Sequence, residues 1–188
     1  MRYDELIQKA KDYAERVHTA ARCKYGEDNE PYMVHLNAVY GWTCEHSKVF
    51  TNPIDHENTC AAAYTHDTIE DAQQTYNDVK GATSVEVADI TLAVTDVHAE
   101  NRMLRFLSTI PKTVKDYRAL VLKVCDIGAN SYYGKDVKNS MYKKYQKEWI
   151  GYKRAIFIAA SRWYPHELNL VEFDKLITAV DEVLEFKS

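Results

Sequence analysis

Glycine and proline are scarce, six and four in 188 residues. A β-sandwich or barrel needs turn residues about every 8–12 positions, so this shortage argues against one and favours long helices. No run approaches the roughly 18–20 consecutive apolar residues of a membrane-spanning helix. The opening stretch MRYDELIQKAKDYAERV is charged throughout and has no apolar signal core. Basic residues are not in excess either: 24 Lys+Arg stand against 28 Asp+Glu, for a net charge of −4 and a pI near 6.0. That balance excludes a broad surface for duplex nucleic acid but leaves room for a local basic pocket that takes a small phosphate ligand. Cys23, Cys44, Cys60 and Cys125 stand far apart with no C-x-x-C, which fits neither a zinc ribbon nor a disulfide scaffold. Reduced thiols in a cytoplasmic protein are the expectation.

What is present points to one folded domain over residues 1–188. The chain is 46% hydrophobic and 28% charged, with no repeat, linker or low-complexity tract. Leu6, Ala10, Tyr13, Ala14, Val17 and Ala21 recur at helical spacing, with Asp4 a candidate cap. The polar stretch CKYGEDNE reads as a loop, and Pro31 is placed to open a second helix that runs to about Cys44. Asp55 is a candidate cap for a helix over 57–70. Thr75 with Asp78, and then Ser84, mark the starts of two more helices, the second ending near Thr95. The stretch 98–112 carries no clear signal and is expected to end at Pro111. From Thr113 a helix built on ALVLKVC reaches at least Asp126. A long helix spans 140–163, with Tyr145, Trp149, Tyr152, Ile156, Ala160 and Trp163 along one side. The last begins at Asn169, three residues before Glu172. No segment alternates with period two, so the fold class is all-α.

The chemistry concentrates in His66-Asp67-Thr68-Ile69-Glu70-Asp71. Helical spacing puts His66 over Glu70 and Asp67 over Asp71. Carboxylates crowded beside an apolar segment cost several kcal/mol each unless a cation neutralises them. A divalent metal on His66 and Asp67 answers that need and leaves Glu70 and Asp71 beside the attacking water. His35 and Asp126 complete a set of two imidazoles and two carboxylates, which suits Mn²⁺, Fe²⁺ or Zn²⁺ better than Mg²⁺ or Ca²⁺. The competing reading is a solvated acidic helix end, with Asp126 merely paired to Lys123.

His35, His66-Asp67 and Asp126 together resemble the metal-ligand pattern of the HD-domain phosphohydrolases. His66-Asp67-x-x-Glu70-Asp71 resembles the HDxxED signature of the (p)ppGpp hydrolase domains of Rel/SpoT proteins and of small alarmone hydrolases. Supporting pieces follow in order: His18 before Arg22, Glu30-Pro31-Tyr32 before His35, Val94-Thr95-Asp96, and Lys123 through Asp126 to Asn130. The likeness covers about residues 5–160, with 165–188 a C-terminal helix packing on it. It implies an HD-domain helical bundle that uses Mn²⁺, with Zn²⁺ or Fe²⁺ as alternatives. It further implies removal of the 3′-pyrophosphate from guanosine tetra- or pentaphosphate by a cation-activated water, with Glu70 and Asp71 catalytic. Arg22, Lys24, Asn130 and Tyr145 would contact the nucleotide. The sequence departs from the usual pattern at Leu36, Tyr64-Thr65 and Ile127.

Plainer roles compete for several of these residues. Arg22 and Lys24 could be solvated loop residues, Asn130 a helix terminator, and Tyr145 part of a core stripe. His18 is expected to pack structurally; His46, His56, His98 and His166 carry no functional argument. The rival activities are hydrolysis of another nucleotide (a dNTP, a nucleoside monophosphate, ppApp or NADPH) and nucleotide binding without turnover. The expected partner is a small-molecule nucleotide, with neither a nucleic-acid polymer nor a membrane.

Overall fold

The helix over Pro53–Thr65 (α3) has eight consecutive buried residues, Asn58 to Thr65, so neighbours enclose it on every side. Its centre, Cys60-Ala61-Ala62-Ala63, is small enough to let other helices approach closely. The computed structural model describes residues 3–135 and 140–186. Among these, α1 (Tyr3–Ala20), α2 (Met33–Glu45), α5 (Val85–Val94) and α7 (Tyr117–Lys135) pack against α3. The second enclosed helix is α7, nearly all of whose residues from Ala119 to Ser131 are buried. Around it lie α2, α5, α6 (Arg102–Thr113), α8 (Ser140–Trp163) and α9 (Leu170–Val183), while α4 (Tyr76–Ala82) pairs with α5. The all-α expectation holds.

Capping chemistry explains where most helices start. Thr75 and Asp78 form a reciprocal capping box, and Ser84 accepts from the Val87 amide. The Asn169 side chain accepts from the amides of Val171 and Glu172. α6 fills the stretch that carried no clear sequence signal; Asn101 caps it, and Pro111 sits in its last turn rather than ending it.

Other boundaries shift from the sequence reading. Asp4 lies within the first turn of α1. α3 begins four residues earlier than expected, because Asn52 accepts from the Ile54 amide at 3.0 Å and Pro53 takes the first helical position, leaving Asp55 in the first turn. α3 also stops at Thr65, not 70. The Thr68 hydroxyl donates to the Thr65 carbonyl at 2.7 Å and the Thr68 amide bonds the same oxygen at 3.0 Å, which closes a turn in place of the next helical repeat. His66–Asp71 is therefore a turn. Pro31 does not open α2; it pairs with Lys24 in a short antiparallel hairpin, β1 (Lys24–Tyr25) and β2 (Glu30–Pro31), inside the segment read as a loop. α7 begins at Tyr117, after a turn that follows Thr113. Trp163, at the end of the expected stripe, is 56% exposed, whereas Trp149 and Ile156 are fully buried.

The approach of α2 to α7 is set by one glycine. A methyl group on Gly128 would lie 2.6 Å from the Trp42 ring, which is stacked on His46. Gly128→Ala gains about 1 kcal/mol of helix propensity but incurs an overpacking cost of about 1–3 kcal/mol. A net loss of stability is expected, read as a lower urea midpoint; a raised midpoint would contradict this packing.

Candidate metal centre and cleft

Three helices deliver the donor atoms. His35 stands in the first turn of α2, His66 caps the C-terminal end of α3 with Asp67 next to it, and Asp126 lies mid-way along α7. The Nε2 atoms of His35 and His66 are 3.2 Å apart. Asp67 Oδ2 lies 3.3 Å from His35 Nε2 and 3.0 Å from His66 Nε2. Asp126 Oδ1 lies 3.5 and 3.7 Å from the same two nitrogens. One donor atom each from His35, His66 and Asp126 thus lies within 4.8 Å of the others, and Asp67 approaches the group from the side of the two imidazoles.

The donor set fits a divalent cation. Bonds of about 2.1 Å to a common centre place neighbouring donors about 3.0 Å apart in an octahedron and about 3.4 Å in a tetrahedron. The observed spacings of 3.0–3.7 Å lie about those values. His66 Nδ1 bonds the Ala63 carbonyl at 2.9 Å, which fixes the ring so that Nε2 presents its lone pair. Charge points the same way. Burial by itself lowers the His66 pKa, yet Asp67 and Asp126 lift it well above the usual value, a demand for positive charge that a cation meets without a proton.

Asp126 is held from both sides. Its Oδ2 accepts from Lys123 Nζ at 3.2 Å, and its Oδ1 accepts from Asn130 Nδ2 at 2.7 Å. Burial favours its neutral form, but Lys123 and His66 keep the carboxyl below the normal carboxylate range. Asn130, predicted to touch a nucleotide, spends both ends of its amide inside the protein, because its Oδ1 accepts from Tyr25 at 3.0 Å.

The HDxxED residues do not share a helix face, since this segment is a turn, yet Asp67 and Asp71 still meet. The Tyr32 hydroxyl lies 2.7 Å from Asp67 Oδ2 and 2.6 Å from Asp71 Oδ2. Glu70 points elsewhere: it accepts from the Asp96 amide at 3.2 Å and lies 3.5 Å from Arg105. Burial raises the pKa of Glu70, helped by Asp96 and Asp67, and burial raises that of Asp71, helped by Asp67. Both carboxyls are thereby moved toward the range where an acid–base group works near neutral pH.

These residues line a cleft of about 440 Å³, a size that suits a small-molecule ligand. Lys24, Arg105, Lys123 and Lys144 bring positive charge to its walls, and Tyr145 lines it as well as packing in the core. Arg22 does not line it; it is exposed, with a left-handed φ of 60°. The hairpin closes one side, where Tyr25 stacks on His35 at 4.8 Å and meets the Tyr133 ring at a tilt at 4.6 Å. His18 packs as expected, stacked on Tyr32 at 4.4 Å; burial lowers its pKa to about 4. The sequence reading gave no role to Tyr25, Tyr32, Arg105 or Tyr133. Tyr32 was visible only as part of a flanking motif, Lys123 was read there and as the competing partner of Asp126, with which it does pair at 3.2 Å, and Arg105 was lost with α6, a stretch with no clear sequence signal.

The chain is an all-α bundle that gathers two imidazoles and two carboxylates at the junction of its central helices. The comparisons agree with the resemblance read from the sequence to the (p)ppGpp hydrolase branch of the HD-domain phosphohydrolases. The chain is 32% identical, over 127 residues, to a guanosine-3′,5′-bis(diphosphate) 3′-pyrophosphohydrolase of Aquifex aeolicus (strain VF5). That match covers 65% of this chain and 17% of the relative, so the chain spans about a sixth of that protein's length. The fold matches a solved metazoan ortholog of SpoT that hydrolyzes ppGpp, with a TM-score of 0.68, 19% identity, and coverage of 96% of this chain and 94% of that one. No family model matches.

The hold of Asn130 on Asp126 can be tested directly. Asn130→Ala should weaken Mn²⁺ binding by about 10–100-fold, as loss of a ligand-orienting hydrogen bond does, with the circular dichroism spectrum unchanged. Unaltered affinity by titration calorimetry would remove Asn130 from this role.

Proposed function

We propose that the chain hydrolyses guanosine tetra- or pentaphosphate at the ribose 3′ position, releasing pyrophosphate and leaving GDP or GTP. The observation that carries this reading is that His35, Asp67 and Asp126, gathered around the buried His66, line a basic-rimmed cleft together with Glu70 and Asp71. The relative and the structural neighbour support the substrate class. A divalent cation on those four side chains, Mn²⁺ by family resemblance, would neutralise phosphate charge and acidify water.

The protein's own groups supply the rest. Phosphoryl transfer depends on alignment and charge neutralisation more than on covalent chemistry. Lys24, Arg105 and Lys144 face the cleft and draw the polyanionic nucleotide into it. Water adds to the 3′-linked phosphorus, the bond to the ribose oxygen breaks, and a proton passes to that oxygen. Glu70 and Asp71 carry that proton traffic between them, each having a raised pKa. Tyr32 ties Asp71 to Asp67, so the acid–base group and the ligand are set by one hydroxyl. Tyr145 offers a ring to the nucleotide from α8, while Asn130 acts by positioning Asp126.

The test is an incubation with Mn²⁺ and, separately, ppGpp, ppApp, dNTPs and NADPH, with the products identified. Pyrophosphate and GDP are expected from ppGpp. Asp67→Ala and Glu70→Ala, with their helical circular dichroism retained, should each lose at least about 10²-fold in rate. Release of orthophosphate, a preference for another nucleotide, or binding without turnover would overturn the proposal; an active Asp67→Ala variant would overturn the assigned site.

A further inference from the structure

A second group of side chains that could hold a metal ion lies outside the cleft, between the C-terminal end of α2 and the first eight residues of α3. Cys44 Sγ and Cys60 Sγ are 3.7 Å apart, and Cys60 Sγ is 3.2 Å from His56 Nε2. One donor atom from each of the three lies within 4.8 Å of the others. The residues come in two pairs at i,i+4 spacing on facing helices, Tyr40 with Cys44 on α2 and His56 with Cys60 on α3, and the Tyr40 hydroxyl is hydrogen-bonded to Cys44. Cys60 is buried, whereas Cys44 and His56 are half-buried, so an ion has a route in.

The spacing matches a sulfur-rich metal site. Two thiolates bound at about 2.3 Å in a tetrahedron stand about 3.8 Å apart, against the 3.7 Å seen. The Cys60–His56 distance of 3.2 Å is a few tenths of an ångström shorter than the corresponding edge, an adjustment within reach of a half-buried imidazole. The His56 ring is also hydrogen-bonded to the Thr43 backbone. This is how metal-binding histidines are usually oriented, one ring nitrogen on a carbonyl and the other on the metal. Two sulfurs and an imidazole select a thiophilic cation over the harder ions that a carboxylate-rich site accepts.

We propose that Cys44, His56 and Cys60 form a second metal site, specific for a thiophilic divalent cation such as Zn²⁺, with water or the Tyr40 hydroxyl as fourth ligand. Binding displaces the two thiol protons to solvent, so the neutral trio becomes a site with no net charge around the bound ion. The site ties α2 to α3 at the opposite end from His35 and His66. By helix rise, Cys44 is about 13 Å along α2 from His35, and Cys60 about 9 Å along α3 from His66. The proposal does not depend on what the cleft hydrolyses.

Co²⁺ titration of the reduced, metal-stripped full chain tests it, because only the thiol site can produce a sulfur-to-cobalt charge-transfer band. The band should appear in the native protein, disappear in Cys44→Ser and Cys60→Ser, persist in Asp67→Ala, and be displaced by stoichiometric Zn²⁺. Zn²⁺ should also raise the thermal midpoint of the native chain more than that of Cys44→Ser. Absence of the band in the native protein overturns the proposal whatever the variants do. So does finding that the two thiols convert to a disulfide under mild oxidation equally well with and without Zn²⁺.

Discussion

The structure turns on one buried and one half-buried carboxylate, Asp126 and Asp67, facing two buried imidazoles at the point where α2, α3 and α7 meet. A carboxylate taken out of water costs several kcal/mol unless positive charge and hydrogen bonds replace the solvent. Asp126 receives both, from Lys123 on one oxygen and Asn130 on the other. Asp67 has Tyr32 and the two imidazole nitrogens. What these contacts leave unbalanced is the charge between the imidazoles and the carboxylates, which a divalent ion would supply. The packing serves this meeting point: the alanines of α3 and Gly128 of α7 allow three backbones to come close enough for short side chains to share one centre.

Around that centre, aromatic rings do the positioning that longer polar side chains could not do without conformational loss. Tyr25 presses on the His35 ring and hydrogen-bonds Asn130, which in turn holds Asp126. Gly26, at a φ of +71°, lets the hairpin turn against Tyr133, where any side chain would collide with that hydroxyl. Hairpin, α2 and α7 are thus linked through the cluster itself, so disturbing the hairpin disturbs the ligands.

Much of the site was legible because its residues have few alternative uses. A His-Asp pair followed by Glu-Asp, with a distant His and Asp, is costly to bury for any reason other than ligation, and the fold brings these distant residues near one another. Thr75, Ser84 and Asn169 were readable as caps because each satisfies amides in its own sequence neighbourhood. The end of α3 was not, since neither glycine nor proline marks it; the break comes from the Thr68 side chain competing for the Thr65 carbonyl. Pro31 and Pro111 misled in the same way, one serving a strand and the other tolerated in a last turn. Arg22 was expected near the nucleotide from the family resemblance; it is exposed and outside the cleft lining, whereas Lys24, two residues on, lines it. Ile127, one of the departures from the usual pattern, is fully buried, and Lys123 and Arg105 bring positive charge to the cleft from other positions.

The helix pair α2–α3 shows how one scaffold keeps two kinds of donor apart. At one end it presents nitrogen and carboxylate oxygen; at the other it presents two sulfurs and a nitrogen. The affinity order among first-row divalent ions does not by itself keep a weak binder such as Mn²⁺ in place against Zn²⁺. Discrimination has to come from the donors, and a separation of about 9–13 Å along the two helices keeps the Cys44 and Cys60 thiols away from the cleft. The thiols escaped notice in the sequence because their partners lie on different helices: Cys44 and Cys60 form no C-x-x-C, and His56 is near Cys44 only after the chain has turned between α2 and α3. The i,i+4 rule relates His56 to Cys60, but tertiary packing brings in Cys44, and no reading of local spacing contains that information.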